Sequence, residues 1–552
     1  MPEPGRTPAR GVVSVAAIAI VALVAAVGSV VVGARPASAS YTVRPPSSPW
    51  RATVSPDHGT GDNQLYGVSC TSSTTCVAVG SEALGGGTGA LIEVLAGGSW
   101  TVVPSPSLTG EGTLYGVSCV SAVECVAVGA EATDAGGRAL IETWHGSTWT
   151  VTPTPALGSA GSFLQGVSCT QTAGVAACDA VGYLYLSGRA QLLVMATTGG
   201  AAWRVVATPP VDSVYGILNA VSCTGATACV AVGYDEVSGV TEALALTLSG
   251  TTWSSGPDTG RERGSSLSGV SCPSATDCVA VGDVATGSED SRTLVESWNG
   301  TAWSVAPSPD PGSRGDLLAG VSCPTATDCV AGGSSTDGSG NRTMMASWAG
   351  TTWSDTPSPD PGTDVDYVTA VSCVSIDSCR AVGTATTGAA TDRTLALSFE
   401  LPPPVIAEVS FRGGAAHPRI TITGSGFGTE PVGAATGCGT TGTDYPGADL
   451  GFQDVQTGWG AGSPGNCLGL VVSHYTATRI SYSFGSAYGT GHPPLDLSAS
   501  DAFTVSVDGA TCSEIVPKPS SMSRRPGSGA GGPPARVTTL AVVALTSSTS
   551  CA

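Results

Sequence analysis

One phrase recurs seven times along the chain and constrains its fold more than any other feature. In the first copy, Gly67–Cys70 (Gly-Val-Ser-Cys) is followed by Cys76–Gly80 (Cys-Val-Ala-Val-Gly). The first cysteines of successive copies lie 49 to 54 residues apart. A fixed period of this size is typical of solenoids, propellers and other repeat arrays. The chain is therefore expected to repeat one small structural unit.

Each repeat contains four short apolar segments. In the fifth repeat they are residues 267–272, 278–282 and 293–298, and a fourth that begins at Trp303. Asn299-Gly300 separates the last two segments, and this pair favours a tight hairpin because both residues tolerate positive φ. Four strands joined by hairpins make one blade of a β-propeller.

Tryptophans indicate how the array closes. Six of them open the fourth segment of a repeat, and they are Trp100, Trp149, Trp203, Trp253, Trp303 and Trp353. A seventh, Trp50, precedes the first repeat, whereas the last repeat ends near Phe399 without a tryptophan segment. We therefore expect the N-terminal strand to complete the last blade, which removes an open sheet edge. The prediction is an all-β chain with a seven-bladed β-propeller over residues 48–400.

Two cysteines in each repeat flank a loop of five residues, or eight in the third repeat. Across a hairpin, two Cβ atoms can approach the ~3.8 Å that a disulfide needs. Metal binding is the alternative, but no histidine lies near these pairs and no Cys-x-x-Cys occurs. The predicted disulfides are Cys70–Cys76, Cys119–Cys125, Cys169–Cys178, Cys223–Cys229, Cys272–Cys278, Cys323–Cys329 and Cys373–Cys379. We also expect Cys438 to pair with Cys467, while the partners of Cys512 and Cys551 stay open.

The N-terminus has the pattern of a secretion signal. Arg6 and Arg10 precede an uncharged apolar run over Gly11–Ala34, and Ala37–Ala39 supplies small residues for cleavage. We predict a signal peptide over residues 1–39, with an uncleaved membrane anchor as the alternative because the run is long enough to span a bilayer. Eighteen cysteines behind such a signal favour an extracellular location. A net charge of −20 argues against a nucleic-acid partner.

The stretch Thr293–Trp303, followed by Pro307-Ser308-Pro309, resembles the repeats of secreted actinobacterial β-propeller proteins with Kelch-like or Asp-box-like blades. The resemblance covers residues 48–400 and implies a propeller outside the cell, with little implied about activity. The glycine turn before a tryptophan is also similar to the Asp-box hairpins of sialidase-type propellers. The aspartate that names that box is missing here, so no sialidase activity is carried over.

A second region follows the proline-rich boundary Leu401–Pro404. Residues 420–428 resemble the opening of IPT/TIG domains, which are immunoglobulin-like β-sandwiches of cell-surface and secreted proteins. The resemblance implies a sandwich over residues 402–516, with strands expected at 405–411, 478–484 and 502–507. Residues 517–552 are rich in Ser, Gly and Pro near their start, and we expect a disordered tail.

Functional residues are expected on one face of the propeller. The loops from strand two to strand three (81–89 in the first repeat) and from strand four to the next strand one (104–113) share a face, while the cysteine-flanked loops occupy the other. We call these the unstapled and the stapled face. Variable loops on a rigid scaffold are the usual place for function. We predict a ligand at the unstapled face, with rim aromatics Tyr66, Tyr115, Tyr215 and Tyr367.

Two further sequence patterns are candidate ligand sites. Arginine recurs at the start of the third strand, at Arg138, Arg189, Arg292, Arg342 and Arg393. It forms either repeated structural ion pairs with acidic neighbours or a ring that grips an anionic polymer. Asp337–Asn341 places oxygen side chains on alternate positions, as calcium sites do, but lacks the later glutamate of an EF-hand loop. No cofactor is expected, with calcium as the alternative at this loop.

The sequence contains no Gly-x-Ser-x-Gly elbow, no His-Glu-x-x-His helix and no phosphate loop, and its five histidines are scattered. We therefore predict a secreted, non-enzymatic binding protein for a glycan, a cell-wall polymer or a surface protein. Contact with a membrane is expected only if the signal is not cleaved. The alternatives are a carbohydrate-active enzyme, either a glycoside hydrolase or a lyase, and a structural or adhesion component of the cell surface.

Overall fold

A computed structural model describes residues 50–515, and every regular element in the described part is a β-strand. The description omits residues 134–135, 158–160, 187, 211–214, 257–261, 288–289, 338–339, 351, 389–390, 401–403, 413–417, 428–433, 436–441, 446–448, 455–459, 463–467, 477, 487, 489–501 and 508–509. The predicted signal peptide and C-terminal tail lie outside the described residues. Within them, no helix is long and apolar enough to cross a membrane.

The repeat region forms four-stranded units that follow one another along the chain. The strands of the first three units are β2 (Asn63–Ser72), β3 (Thr75–Leu84), β4 (Gly87–Ala96), β5 (Ser99–Val102); β6 (Glu111–Ser121), β7 (Glu124–Thr133), β8 (Gly136–Trp144), β9 (Trp149–Val151); β10 (Ser162–Thr172), β11 (Val175–Leu186), β12 (Arg189–Thr198) and β13 (Arg204–Val206). Those of the next three are β14 (Gly216–Gly225), β15 (Ala228–Val237), β16 (Val240–Ser249), β17 (Thr252–Ser255); β18 (Ser265–Ser274), β19 (Asp277–Ala285), β20 (Ser291–Trp298), β21 (Trp303–Ala306); β22 (Gly315–Ser322), β23 (Asp328–Thr336), β24 (Asn341–Ala349) and β25 (Trp353–Thr356). The last unit combines β1 (Trp50–Thr53) with β26 (Asp366–Ser375), β27 (Ser378–Thr387) and β28 (Thr391–Glu400).

Within each unit the strands pair antiparallel in chain order, and β1 pairs with β28 so that Trp50 lies opposite Phe399. The units of β18–β21 and β22–β25 also share a single parallel bridge between Ser291 and Gly315. The first strands of neighbouring units contact one another in a cycle that returns from β26 to β2. The expectation of an all-β chain built from repeated four-stranded, blade-like sheets is confirmed, and the repeat region is a β-propeller.

A ring of hydrogen bonds explains the serine in the repeated phrase. Each serine hydroxyl accepts the backbone N–H of the first cysteine in the next unit, at 2.9–3.0 Å. The pairs run Ser69–Cys119, Ser118–Cys169, Ser168–Cys223, Ser222–Cys272, Ser271–Cys323, Ser322–Cys373 and Ser372–Cys70. The last bond joins the seventh repeat to the first. We call these seven bonds the serine belt.

The glycine in the same phrase allows the first strands to approach closely. A Cβ added to Gly67 would lie 3.0 Å from the carbonyl oxygen of Tyr115, and one added to Gly320 would lie 2.9 Å from the Cα of Ala370. Real Cβ atoms rarely come so near to backbone, so these positions suit glycine because the neighbouring backbone leaves no room.

The seven predicted cysteine pairs of the repeat region form disulfides, each between the first two strands of its unit. The tryptophans of the fourth strands and Trp50 are buried, with 3–8% of their surface exposed. Trp144–Trp149, Trp298–Trp303 and Trp348–Trp353 face each other across their hairpins. Cys438, Cys467 and Cys551 lie outside the described residues, so the prediction for the first two stays a prediction.

The C-terminal region contains two further sheets around one apolar core. Its strands are β29 (Val405–Arg412), β30 (Arg419–Ser425), β31 (Ala434–Ala435), β32 (Thr443–Asp444), β33 (Leu450–Asp454), β34 (Gly460–Ala461), β35 (Leu470–Thr476), β36 (Arg479–Phe484), β37 (Ala502–Val507) and β38 (Ala510–Ile515). One sheet has the order β29-β30-β36-β35-β32-β31 and the other β34-β33-β37-β38. Ile420, Tyr482 and Phe503 are among the fully buried residues between them.

Candidate functional site

The tyrosines of the repeat region, unlike its tryptophans, do not recur at fixed positions of the repeat. Between residues 50 and 400 the sequence has seven tyrosines, which are Tyr66, Tyr115, Tyr183, Tyr185, Tyr215, Tyr234 and Tyr367. Six of them lie towards the ends of their strands that face away from the disulfides, and Tyr215 directly precedes the same end of β14. Six are half-buried, and Tyr183 is 6% exposed. We call the seven tyrosines together with Phe163 the tyrosine arc.

A β-bulge places the inner members of the arc. Every first strand shifts register one residue before its glycine or alanine, as between Leu65 and Gly67. Bulges re-aim side chains and recur next to functional sites. The bulged residues are, in chain order, Tyr66, Tyr115, Gln165, Asn219, Ser268, Ala319 and Thr369. Tyr66 and Tyr115 contact each other with ring centroids 5.6 Å apart, whereas the fifth and sixth repeats place small residues there.

The outer members of the arc form a cluster at the junction of the third and fourth units. The ring of Phe163 stacks on Tyr183 at 5.0 Å, and Tyr185 meets both edge-on. The hydroxyls of Tyr185 and Tyr215 are hydrogen-bonded at 2.5 Å across the two units. Tyr234 packs against the same cluster. Ring contacts of this kind hold aromatic side chains in fixed orientations.

Polar groups line the other end of the arc. The hydroxyl of Tyr66 donates to the amide oxygen of Gln64, whose NH₂ group donates to Asp392 at 2.5 Å. Asp392 belongs to the last unit, so this chain of hydrogen bonds links it to the first unit. Burial raises the pKa of Tyr367, and the nearby Tyr66 and Asp392 add to the rise.

Several phenols of the arc have a pKa raised above the usual value of tyrosine. Burial raises the pKa of Tyr115 to about 12, with the neighbouring Tyr66 adding to the effect. Burial likewise raises the pKa of Tyr185 to about 12, with Tyr215 and Tyr234 adding to it. Burial raises the pKa of Tyr234, and Tyr215 and then Glu236 add to the rise. The arc therefore presents neutral rings and hydroxyl groups to a ligand.

The structure brings the four predicted tyrosines into this arc and adds four residues that the sequence reading missed, namely Phe163, Tyr183, Tyr185 and Tyr234. Their signal was present in the second strands. After the shared glycine of this strand the third copy continues Tyr-Leu-Tyr and the fourth continues Tyr, while other copies have Ser, Ala, Asp or Thr. The repeats were therefore less equal than their cysteines and tryptophans suggest.

The recurring arginines are mostly held by carboxylates. Arg138 pairs with Glu131 and Arg292 pairs with Glu262. Arg342 and Arg393 lie 3.5 Å from Asp337 and Asp57, respectively. The fifth, Arg189, is exposed. Four of these guanidinium groups are thus engaged in ion pairs, and this favours the structural interpretation over a ring that grips an anionic polymer.

Neither candidate metal group offers a free set of ligands. The predicted calcium loop includes residues 338 and 339, which lie outside the described residues, and its Asp337 faces Arg342. Elsewhere in the described part, Asp179, Cys223 and Cys229 come together, but the two cysteines are bonded to each other and cannot act as thiolates. The calcium alternative stays a prediction.

No protein-family model matches the chain, and no curated protein matches it. Similar solved structures include YCF48 bound to D1 peptide (14% identity, 65% of this chain and 98% of that chain, TM-score 0.40). Two others are the GH74 xyloglucanase from Xanthomonas campestris (14%, 68% and 59%, 0.39) and Chaetomium thermophilum Sqt1 bound to the N-terminus of a ribosomal protein (10%, 66% and 94%, 0.37). All three are β-propeller proteins. At TM-scores below 0.5, these structural similarities say nothing about the candidate site.

Proposed function

We propose that this chain is a secreted, non-enzymatic binding protein that recognises an extracellular glycan, wall polymer or protein through the tyrosine arc. In this proposal residues 48–400 form a seven-bladed propeller closed by β1, and residues 402–516 form an immunoglobulin-like sandwich. The cycle of contacts between first strands and the serine belt support the ring. The two sheets around one core support the sandwich.

Secretion is supported by the disulfides and by the N-terminal pattern. Seven disulfides recur at the same place in seven repeats. Disulfides persist in oxidising compartments and are rare in the cytosol. The apolar run and the small residues before Ser40 match a cleavable signal.

The tyrosine arc is the observation that carries the binding proposal. The tryptophans follow the repeat and are buried, as expected of residues that build the fold. The tyrosines break the repeat, gather at one face and remain partly exposed. Tyrosine combines a large rigid ring with a hydroxyl, which is why it is enriched in binding surfaces. Aromatic residues that do not belong to the repeat, placed together at one face, point to recognition.

The test measures retention of the purified mature protein on glycans, cell-wall preparations and extracellular proteins, with released sugar assayed in the same tubes. The variant replaces three arc residues, Tyr66→Leu, Tyr115→Leu and Tyr185→Leu. The matched control is Phe399→Leu, an aromatic residue of the same region outside the arc. We expect saturable retention of the unaltered protein on one partner. The affinity for that partner should be at least tenfold lower in the arc variant, because removing anchor residues from an interface typically has effects of this size. The control variant should bind with unchanged affinity.

Melting temperatures of both variants establish that they remain folded. If the arc variant is folded and binds as well as the unaltered protein, the arc is not the binding surface. Release of sugar from a retained glycan would instead show that the protein is a carbohydrate-active enzyme.

A further inference from the structure

The electrostatics of the tyrosine arc narrow the chemistry of its partner. The arc runs from the last unit through the first three units to the fourth. At the end formed by the last and first units, Asp392 accepts a hydrogen bond from Gln64, which in turn accepts one from Tyr66. At the fourth-unit end, the backbone N–H of Glu236 donates to the carbonyl of Tyr215 at 2.8 Å, and its carboxylate lies near enough to Tyr234 to add to the rise in the pKa of that phenol that burial and Tyr215 cause. For the central residues Tyr115 and Tyr183, the electrostatic neighbours are other tyrosines. The arc is thus a neutral aromatic track with a carboxylate at each end.

Arginine does not neutralise these two carboxylates in the described ion pairs. Arg393, the neighbour of Asp392 in sequence, faces Asp57 at 3.5 Å, and its guanidinium also donates to the carbonyl of Gly61. Asp392 accepts hydrogen bonds from Gln64 and from the hydroxyl of Thr386, which are both uncharged. The chain as a whole carries a net charge of −20, so the long-range field also attracts cations.

Neutral tyrosine rings and separated carboxylates together suit a cation. The face of a tyrosine ring attracts an ammonium or guanidinium group within about 6 Å of its centroid. A carboxylate beside the ring adds a direct counter-charge. Because the two carboxylates stand at opposite ends with uncharged rings between them, the complementary ligand carries separated positive groups joined by a neutral stretch.

We infer that the tyrosine arc binds a cationic segment of a polypeptide, with Lys or Arg side chains on its rings and Asp392 and Glu236 as counter-charges. A polypeptide fits better than an amino-sugar polymer, which carries a charge on every sugar and would place ammonium groups over the neutral centre. This inference rests on the proposed function and specifies the partner of the same surface.

The test uses three fluorescent peptides of twelve residues, identical except at two positions near their ends. Those positions carry lysine, acetyl-lysine or glutamate, and the spacer between them is Gly and Ser. Fluorescence anisotropy measures the binding of each peptide to the full mature protein at low and high salt. We expect the lysine peptide to bind at least about tenfold more tightly than the other two, and less tightly at high salt because the charges are partly exposed.

Substitutions in the protein test which residues bind the lysine peptide. Asp392→Asn and Glu236→Gln keep hydrogen-bonding groups and remove one charge each, and we expect each to weaken the lysine peptide several-fold. Tyr66→Leu removes the ring face and is expected to weaken binding of the lysine peptide, whereas Ser304→Ala, at an exposed residue outside the arc, is expected to bind it as well as the unaltered protein. Two charge variants are included so that one that fails to fold leaves the other to decide.

The outcomes separate this inference from the proposal beneath it. Equal binding of the lysine and acetyl-lysine peptides, or unchanged affinity in both charge variants, would refute the inference that the partner is cationic. Binding of a chitosan oligomer without binding of the lysine peptide would overturn the polypeptide assignment. If a neutral glycan is retained and is lost in the arc variant, the binding proposal stands and only the cationic partner falls.

Discussion

Three buried glutamates give this fold a defined response to pH. Glu93, Glu142 and Glu296 occupy the same position in the third strands of the first, second and fifth units, and each is 0–1% exposed. One carboxylate oxygen of each lacks a hydrogen-bond partner among the described residues. Burial raises the pKa of each to about 7. Hydrogen bonds from Ser55 to Glu93 and from Ser105 to Glu142 partly offset this rise.

The direction and size of the pH effect on the free energy of unfolding follow from proton linkage. In the unfolded chain a glutamate has a pKa of about 4.3, so between that value and 7 the folded protein binds more protons. The stability that these protons give is complete below about pH 4, decreases as pH rises through 7, and is absent above it. A pKa difference of this size corresponds to roughly 3–4 kcal/mol for each glutamate.

Glu142→Gln isolates the effect, because an amide retains an acceptor for Ser105 and cannot ionise. Urea unfolding under non-reducing conditions at pH 4.5, 6, 7 and 8 measures the free energy of unfolding of both proteins. We expect the variant to match the unaltered protein near pH 4.5 and to be more stable by about 3–4 kcal/mol at pH 8. A difference that does not grow with pH, or a variant that is less stable at pH 8, would refute the reasoning.

Other predictions concern the ring. Ser271→Ala leaves a cysteine N–H of the next unit without its acceptor and should lower the free energy of unfolding by about 1–3 kcal/mol, while exposed Ser304→Ala should not; urea unfolding compares them. Arg380→Met removes hydrogen bonds to Glu400 and to a carbonyl of the first unit, and should speed amide hydrogen exchange in β26–β28. The double variant Cys272→Ser, Cys278→Ser should lower stability by about 2 kcal/mol, and equal melting with the unaltered protein would contradict this.

The repeated elements could be predicted from the sequence because each is a local pattern. A hairpin turn, a cysteine pair and a tryptophan recur at fixed spacing, and together they specify a blade. The missing seventh tryptophan strand and the extra Trp50 also predicted the pairing that the structure has between Trp50 and Phe399. The serine belt was not predicted, because a bond from a hydroxyl to the next unit depends on how closely the first strands approach.

Four of the eight residues of the tyrosine arc were predicted from the sequence, and there is a physical reason why the other four were not. Tyr66 and Tyr115 directly precede the repeated phrase, and their distance from the disulfide identifies their face. Tyr183 and Tyr234 lie in second strands, and their position beside the first strand depends on the register after the bulge, which pairs Phe163 with Tyr183. A bulge shifts every pairing beyond it, so sequence spacing alone does not bring these residues together.

Hydrogen–deuterium exchange with and without a saturating concentration of the retained partner tests the binding surface most directly. We expect slower exchange in peptides that contain Tyr66, Tyr115 and Tyr185, with no change in the stapled loops such as residues 71–75. Protection confined to the stapled loops or to the C-terminal sheets, with the tyrosine peptides unchanged, would contradict it.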